Sequence, residues 1–313
     1  MGYARMMGED TMDLATGGTV EAMLRNELAR ETRALGSVVP VLRHLLASDG
    51  QRLVSDAILA RVRGMLSDLA AQLCAAAAGR DPGLRLADTA DEGAQESLAE
   101  SLAADPALLA FCHGLAAESQ LAERLHHQRG IDPVLSPLLQ ELIASEEPVI
   151  AELAMNALAA QSRFIQSQRR MELPLGELPA ELFHGAIAGR VEGDAVARLQ
   201  LGFDEGANRL GLLARLVSAM RRGAVAALAL DHAGAALFAS ALAALSRQPR
   251  AHAVLACHEG QGARLALSLR SAGLTPAAIE RQFLLLDPAA PLPRDLAEVS
   301  PDRARLLLGA SLG

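Results

Sequence analysis

The chain has 313 residues and a net charge of −8, long enough to bury roughly three quarters of its unfolded surface but too acidic for broad nucleic-acid binding, which needs a dense positive field. All 29 basic residues are arginine; base-composition bias explains that, and it excludes Walker-type phosphate binding, Schiff-base chemistry and a lysine general base. Apolar residues make up 51% and aromatics only 2%, and the apolar share is mostly Ala and Leu, so the composition favours helices over strands.

In chain order, residues 1–18 are rich in Met, Gly and Thr without a period, the mark of a disordered start. Helices are predicted over 19–35 and 37–46, and a longer one over 53–78 with Val54, Ile58, Val62, Met65, Leu66, Leu69 and Leu73 on one side. Residues 79–95 combine Gly, Pro and acidic residues and read as a linker. Asp105-Pro106 and Asp132-Pro133 are N-cap and N1 pairs that start helices. Ser145 to Pro148 starts the helix that the reading places at the centre, with Ser145 as N-cap and a stripe of Ile150, Leu153, Ala154, Ala157, Leu158, Phe164 and Ile165. Glu152, Asn156, Arg163, Gln166 and Arg170 fall off that stripe, facing water or a partner, and Pro174 and Pro179 end the segment.

After that break, helices are predicted over 179–188, 204–220, 231–245, 249–257, 262–272 and 275–286, then a proline-rich tail and a short helix from Ser300-Pro301. The apolar run 224–245 carries Asp231 and His232 at its middle and reads as two buried helices meeting at a turn, Asp231 capping the second, rather than a membrane span. The expected domains are a helical segment 19–78, the linker 79–95, a region 96–178 around the central helix, a region 179–290 and a tail 291–313. The fold class expected is all-α: a multi-helix bundle, or HEAT/armadillo-like stacked helical pairs, in two sub-domains. The 42 residues between Pro106 and Pro148 suit the repeat period of that second option.

Three sets of residues invite a chemical reading. Cys257, His258 and Glu259 put a thiol beside an imidazole and a carboxylate, yet sequence neighbours on a helix point about 100° apart, so a capped turn explains them as well. Cys112-His113 and His126-His127 lack zinc-site spacing, and no metal or cofactor is assigned. Arg163, Arg169 and Arg170, with Gln166, form a basic cluster at the end of the central helix, where cations are favoured by the helix dipole; Glu172, Glu177 and Glu181 stand ready to pair with them. GxSxG, HExxH and a glycine-rich fingerprint after a strand are all absent. The start MGYARMMGED has no apolar signal core, and Cys74, Cys112 and Cys257 lie far apart, so they read as reduced, buried thiols of a cytoplasmic protein.

The stretches LAAQSRFIQSQRRMELPLGELPAELFH and ALAALSRQPRAHAVLACHEGQGARLALSLRSAGLTP resemble a proteobacterial domain-of-unknown-function family, all-helical and loosely HEAT-like, over about residues 100–290. The resemblance implies a helical fold and brings no activity, cofactor or catalytic residue. The leading expectation is a non-enzymatic interaction or regulatory module, off the membrane, with a protein partner or a second copy of itself. Two alternatives stay open: a thiol-dependent hydrolase or transferase centred on Cys257, and a nucleic-acid regulator using Arg163, Arg169 and Arg170.

Overall fold

The computed structural model describes residues 53–83, 92–287, 296 and 299–310, all within the compact unit Arg52–Gly313. Among them every regular element is helical, as Ala- and Leu-rich stripes dictate. The α-helices are α1 (Asp56–Ala77), α2 (Glu92–Ala103), α3 (Pro106–Arg129), α4 (Pro137–Ile143), α5 (Pro148–Arg169), α6 (Ala180–Ile187), α7 (Asp194–Gly202), α8 (Arg209–Ala219), α9 (Leu230–Ser246), α10 (Arg250–Ala256), α11 (Gly262–Ser271), α12 (Pro276–Leu286) and α13 (Pro301–Ala310). Short 3₁₀ turns occupy Leu175–Glu177, Glu205–Ala207 and Arg221–Leu228. The helices predicted over 19–35 and 37–46, the disordered start predicted over 1–18 and most of the tail lie outside the described residues.

Cap chemistry explains most of the helix starts. Ser55 Oγ accepts from the Ile58 amide at 3.3 Å, Asp105 Oδ1 from Ala107 and Leu108 at 2.8 and 3.2 Å, and Thr275 Oγ1 from Ala278 at 3.3 Å. Elsewhere the same residue types do a different job. Asp132 Oδ1 takes the Val134 and Leu135 amides at 2.7 and 2.8 Å in a turn, and α4 begins only at Pro137 under Ser136. An Asp carboxylate satisfies turn amides as readily as helix amides, so Asp132-Pro133 starts no helix. Ser145 likewise sits two residues before Glu147, the N-cap of α5. Asp231 lies in the first turn of α9 after an Ala229 cap. The segment 204–220 breaks into a 3₁₀ turn and α8, because Asn208 Oδ1 caps Gly211 at 2.7 Å. Helix α7 had no counterpart in the sequence reading, and α2 already begins inside the predicted linker.

The hub of the bundle is α9 rather than α5. Twelve of its 17 residues are buried, and it packs against α3, α4, α8, α10, α11 and α12. Partners drawn from residues 106 to 286 make this a bundle with long-range packing, whereas a repeat stack touches only its neighbours. Helix α5 is a flank, with α8 and α4 laid along it. Of the apolar run 224–245, α9 is largely buried, but the first piece is a 3₁₀ turn, not a buried helix: it exposes Val225 and Ala226 and meets α9 at a 119° bend. Among the described residues no single helix is long and apolar enough to cross a membrane.

Two hydrophobic cores meet inside the unit. One gathers Leu121, Leu125, Leu153, Ala157, Leu213, Leu216, Phe238, Leu242 and Phe283 around α9. The other gathers Met65, Leu69, Leu73, Leu108, Leu115, Leu178 and Phe183 around α1. Buried polar residues lie where helices touch both cores: Glu118 between Ala117 and Leu121 on α3, Gln161 after Ala160 on α5, and Ser240 between Ala239 and Ala241 on α9.

Candidate functional site

The polar seam between the cores forms one closed network. Glu118, 1% exposed, accepts from both guanidiniums that reach it. Arg250 binds it at 2.6 and 2.7 Å, and Arg209 grips the same two oxygens from the other side, Nη1 at 3.2 Å and Nη2 in a short ion pair. Arg209 Nε donates to Gln161 Oε1 at 2.6 Å, and Gln161 Nε2 to the Pro133 carbonyl at 2.8 Å. Arg250 Nε donates to Ser240 Oγ at 2.9 Å. The Arg209 guanidinium also lies 3.7 Å over the Phe164 ring, a cation–π contact strengthened by burial. Burial alone would raise the Glu118 carboxyl, but Arg209 and Arg250 outweigh it and hold it down at about 2. Burial lowers the Arg209 guanidinium from its usual value against the pull of Glu118; a guanidinium stays protonated regardless, so the network remains ionised.

Arg209 is also the floor of a cavity of about 360 Å³ at the C-terminal end of α5. Its walls follow from how the chain leaves that helix. Met171 takes a left-handed conformation (φ 57°), and the chain then runs back along α1. Asp68 Oδ2 takes the Leu173 amide at 2.8 Å, Gln72 Oε1 takes the Leu175 amide at 2.9 Å, and Gln72 Nε2 donates to the Leu173 carbonyl at 2.9 Å. Further on, Glu177 Oε2 accepts from the Arg209 amide at 2.9 Å, tying the loop to the start of α8. The lining includes Leu115, Arg163, Phe164, Gln166, Gln168, Arg170, Glu172 and Leu173. A wider groove of about 660 Å³ lies between α1 and α2, lined by Leu59, Val62, Leu66, Ala99 and Ala103 with Arg63, Glu96 and Glu100; its mixed rim specifies no ligand chemistry.

The structure thus brings Arg163, Gln166 and Arg170 to one cavity, and leaves Arg169 exposed outside the lining. Arg170 pairs with Glu172 at 2.6 Å, and Glu177 bonds backbone rather than an arginine of the cluster. Arg209, Glu118 and Gln161 were missed, because nothing in a single sequence marks an arginine at a helix start as buried. The signal available was weak: Glu118 and Gln161 sit at the apolar period of α3 and α5.

Cys257 is buried, its thiol donating to the Ala253 carbonyl at 3.3 Å. Burial pushes that thiol up to about 12 against the pull of Arg124 and Arg250, and does the same to Cys112. A thiolate nucleophile needs the opposite shift. His258 faces away, its Nε2 donating to the Ala117 carbonyl at 3.1 Å, and burial together with Arg124 drops the ring to about 4. Glu259 is exposed. The three neighbours therefore point to three different places. His113 Nε2 bonds the Leu53 carbonyl at 2.8 Å, and the His126 and His127 rings lie 5.6 Å apart. Among the described residues no group of three or more His, Cys, Asp and Glu side chains could hold a metal ion.

No family model, characterised protein or solved structure matches this chain.

Proposed function

We propose that this protein is a non-catalytic binding module that engages a protein partner through the cavity and arginine rim at the end of α5. One observation carries the reading. The exposed polar side chains that converge are Arg163, Gln166 and Arg170, cations and an amide suited to recognition, while Cys257 and His258, the thiol and imidazole that catalysis would need, are buried and bonded to backbone. Bidentate arginines favour planar anions, so the partner surface is acidic. Cys112 and Cys257, buried as expected, suit a reducing, cytoplasmic setting, whereas Cys74 is only half-buried.

The test is a photo-cross-linking residue placed at Gln166 in the full chain, in the cells that make it, with a second copy of the experiment at exposed Leu306 on α13. A discrete protein adduct from position 166 alone supports the reading. Equal adducts from both positions, or none from position 166 alongside a measured turnover, contradict it.

A further inference from the structure

We infer that the groove between α1 and α2 seats a second copy of this chain, joined across a two-fold axis that lays α1 of each copy on α2 of the other. The groove and the cavity at the end of α5 share no lining residue. The groove holds about 660 Å³, and its lining descends α1 from Ser67 to Leu59 as it climbs α2 from Gln95 to Ala103. Gln95 Nε2 donates to the Ser67 carbonyl at 3.1 Å, which pins the register at one end. The two helices are therefore antiparallel, and Arg63 stands level with Ala99. Glu96 and Glu100 flank that level on the opposite wall.

Charge selects the occupant. Arg63, Glu96 and Glu100 are exposed, and none of them makes a hydrogen bond or ion pair among the described residues. Elsewhere α1 does pair an arginine, since Arg61 binds Glu123 at 2.6 Å. Helix α2 carries acidic charge only, and like charges four residues apart, as at Glu96 and Glu100, weaken a helix until a cation meets them. A rim positive on one wall and negative on the other suits no small ligand, but it complements itself. A two-fold along the groove exchanges the walls, so Arg63 of one copy meets Glu96 and Glu100 of the other, and the reverse pairing follows, as an isologous interface requires. A two-fold across the groove would set Arg63 on Arg63 and glutamate on glutamate, and like-charge repulsion excludes it. The floor suits the same contact. Val62, Leu66, Ala99 and Ala103 make it apolar, and the alanines let a facing helix come close. Leu59 is 47% exposed and level with Ala103, so the first arrangement covers it with Ala103 of the other copy.

The experiment is analytical ultracentrifugation of the full chain from micromolar to near-millimolar concentration, because a patch two helices wide falls at the weak end of protein interfaces. A monomer–dimer equilibrium is expected. Leu59→Asp should raise its dissociation constant about thirtyfold or more, the loss of an apolar anchor. Arg63→Glu sets like charges against each other in its own dimer, and so does Glu96→Arg/Glu100→Arg, so each chain alone should be monomeric. Mixed in equal amounts, the two regain both sets of opposite charges, and a heterodimer as tight as the parent should form. A dimer built on any other face would not show that rescue. A parent chain still monomeric at near-millimolar concentration, as when a foreign helix is what fills the groove, overturns the inference. So does a dimer that Leu59→Asp and Arg63→Glu leave unchanged, or a mixture of the charge-reversed chains that associates no better than either alone.

Discussion

Glu118 shows how much of this protein's stability is concentrated at single side chains. Replacing it with Gln leaves Arg209 and Arg250 facing each other across a buried seam, and breaking a buried pair costs about 3–5 kcal/mol; chemical denaturation of Glu118→Gln should show a loss of that size. Its carboxyl is held at about 2 in the folded chain against an ordinary 4.5. The unfolded chain therefore takes up the proton first, and stability falls as pH drops from about 4.5 towards 2. That part of the pH profile should flatten in Glu118→Gln. His258 acts in a higher window. Its ring is held at about 4 against 6.5, so protonation again favours the unfolded chain, and stability is lost as pH falls from about 6.5 to 4. His258→Gln keeps a donor for the Ala117 carbonyl and should shrink that loss to the part left by His252, whose ring is also lowered by burial and by Arg264; a fall across this range as steep as in the parent chain would contradict the assignment. At this scale the sequence carried little. Arg163, Gln166 and Arg170 could be placed because helical spacing puts them off the apolar stripe, whereas Arg209 is buried by tertiary partners that lie 48 and 91 positions away, beyond any local pattern.

Elements meet at contacts a helical wheel cannot show. Gly64 lies mid-helix in α1, where Ala would ordinarily gain about 1 kcal/mol. A Cβ there, however, would sit 2.5 Å from the Met171 Cβ and 2.8 Å from its carbonyl. Gly64→Ala should therefore destabilise, by about 1–3 kcal/mol as overpacking does, and should loosen the loop that walls the cavity. Gln72→Leu strips the Leu175 amide and the Leu173 carbonyl of their partner. An unsatisfied buried group costs about 1–3 kcal/mol, so thermal denaturation should show at least that loss. Helix starts were legible where an Asp or Thr stood directly before Pro and an apolar period followed, as at Asp105 and Thr275. They were not legible at Asp132, Ser145 and Asp231, because the same side chains serve turns, and only the surrounding packing decides which amides they reach.

At the scale of the whole molecule, the all-helical character followed from Ala and Leu composition, but the hub did not. The sequence pointed to α5, whose stripe is regular; the structure makes α9 the hub, since a helix packed on nearly all sides has no polar face and so no clean period. The seam of Glu118, Arg209 and Arg250 fastens the two cores and also floors the cavity, which links the fold to the proposed binding face. Cys112 and Cys257 belong to the interior of this frame. Thiol labelling of the native protein should leave both unmodified until denaturant exposes them. The central claim is that the arginine rim at the end of α5, and not Cys257, does the work of this protein. The most direct measurement is the yield of the adduct captured at position 166 in Cys257→Ser and in Arg163→Glu/Arg170→Glu chains: the account predicts an unchanged yield in the first and loss in the second, and the reverse order would contradict it.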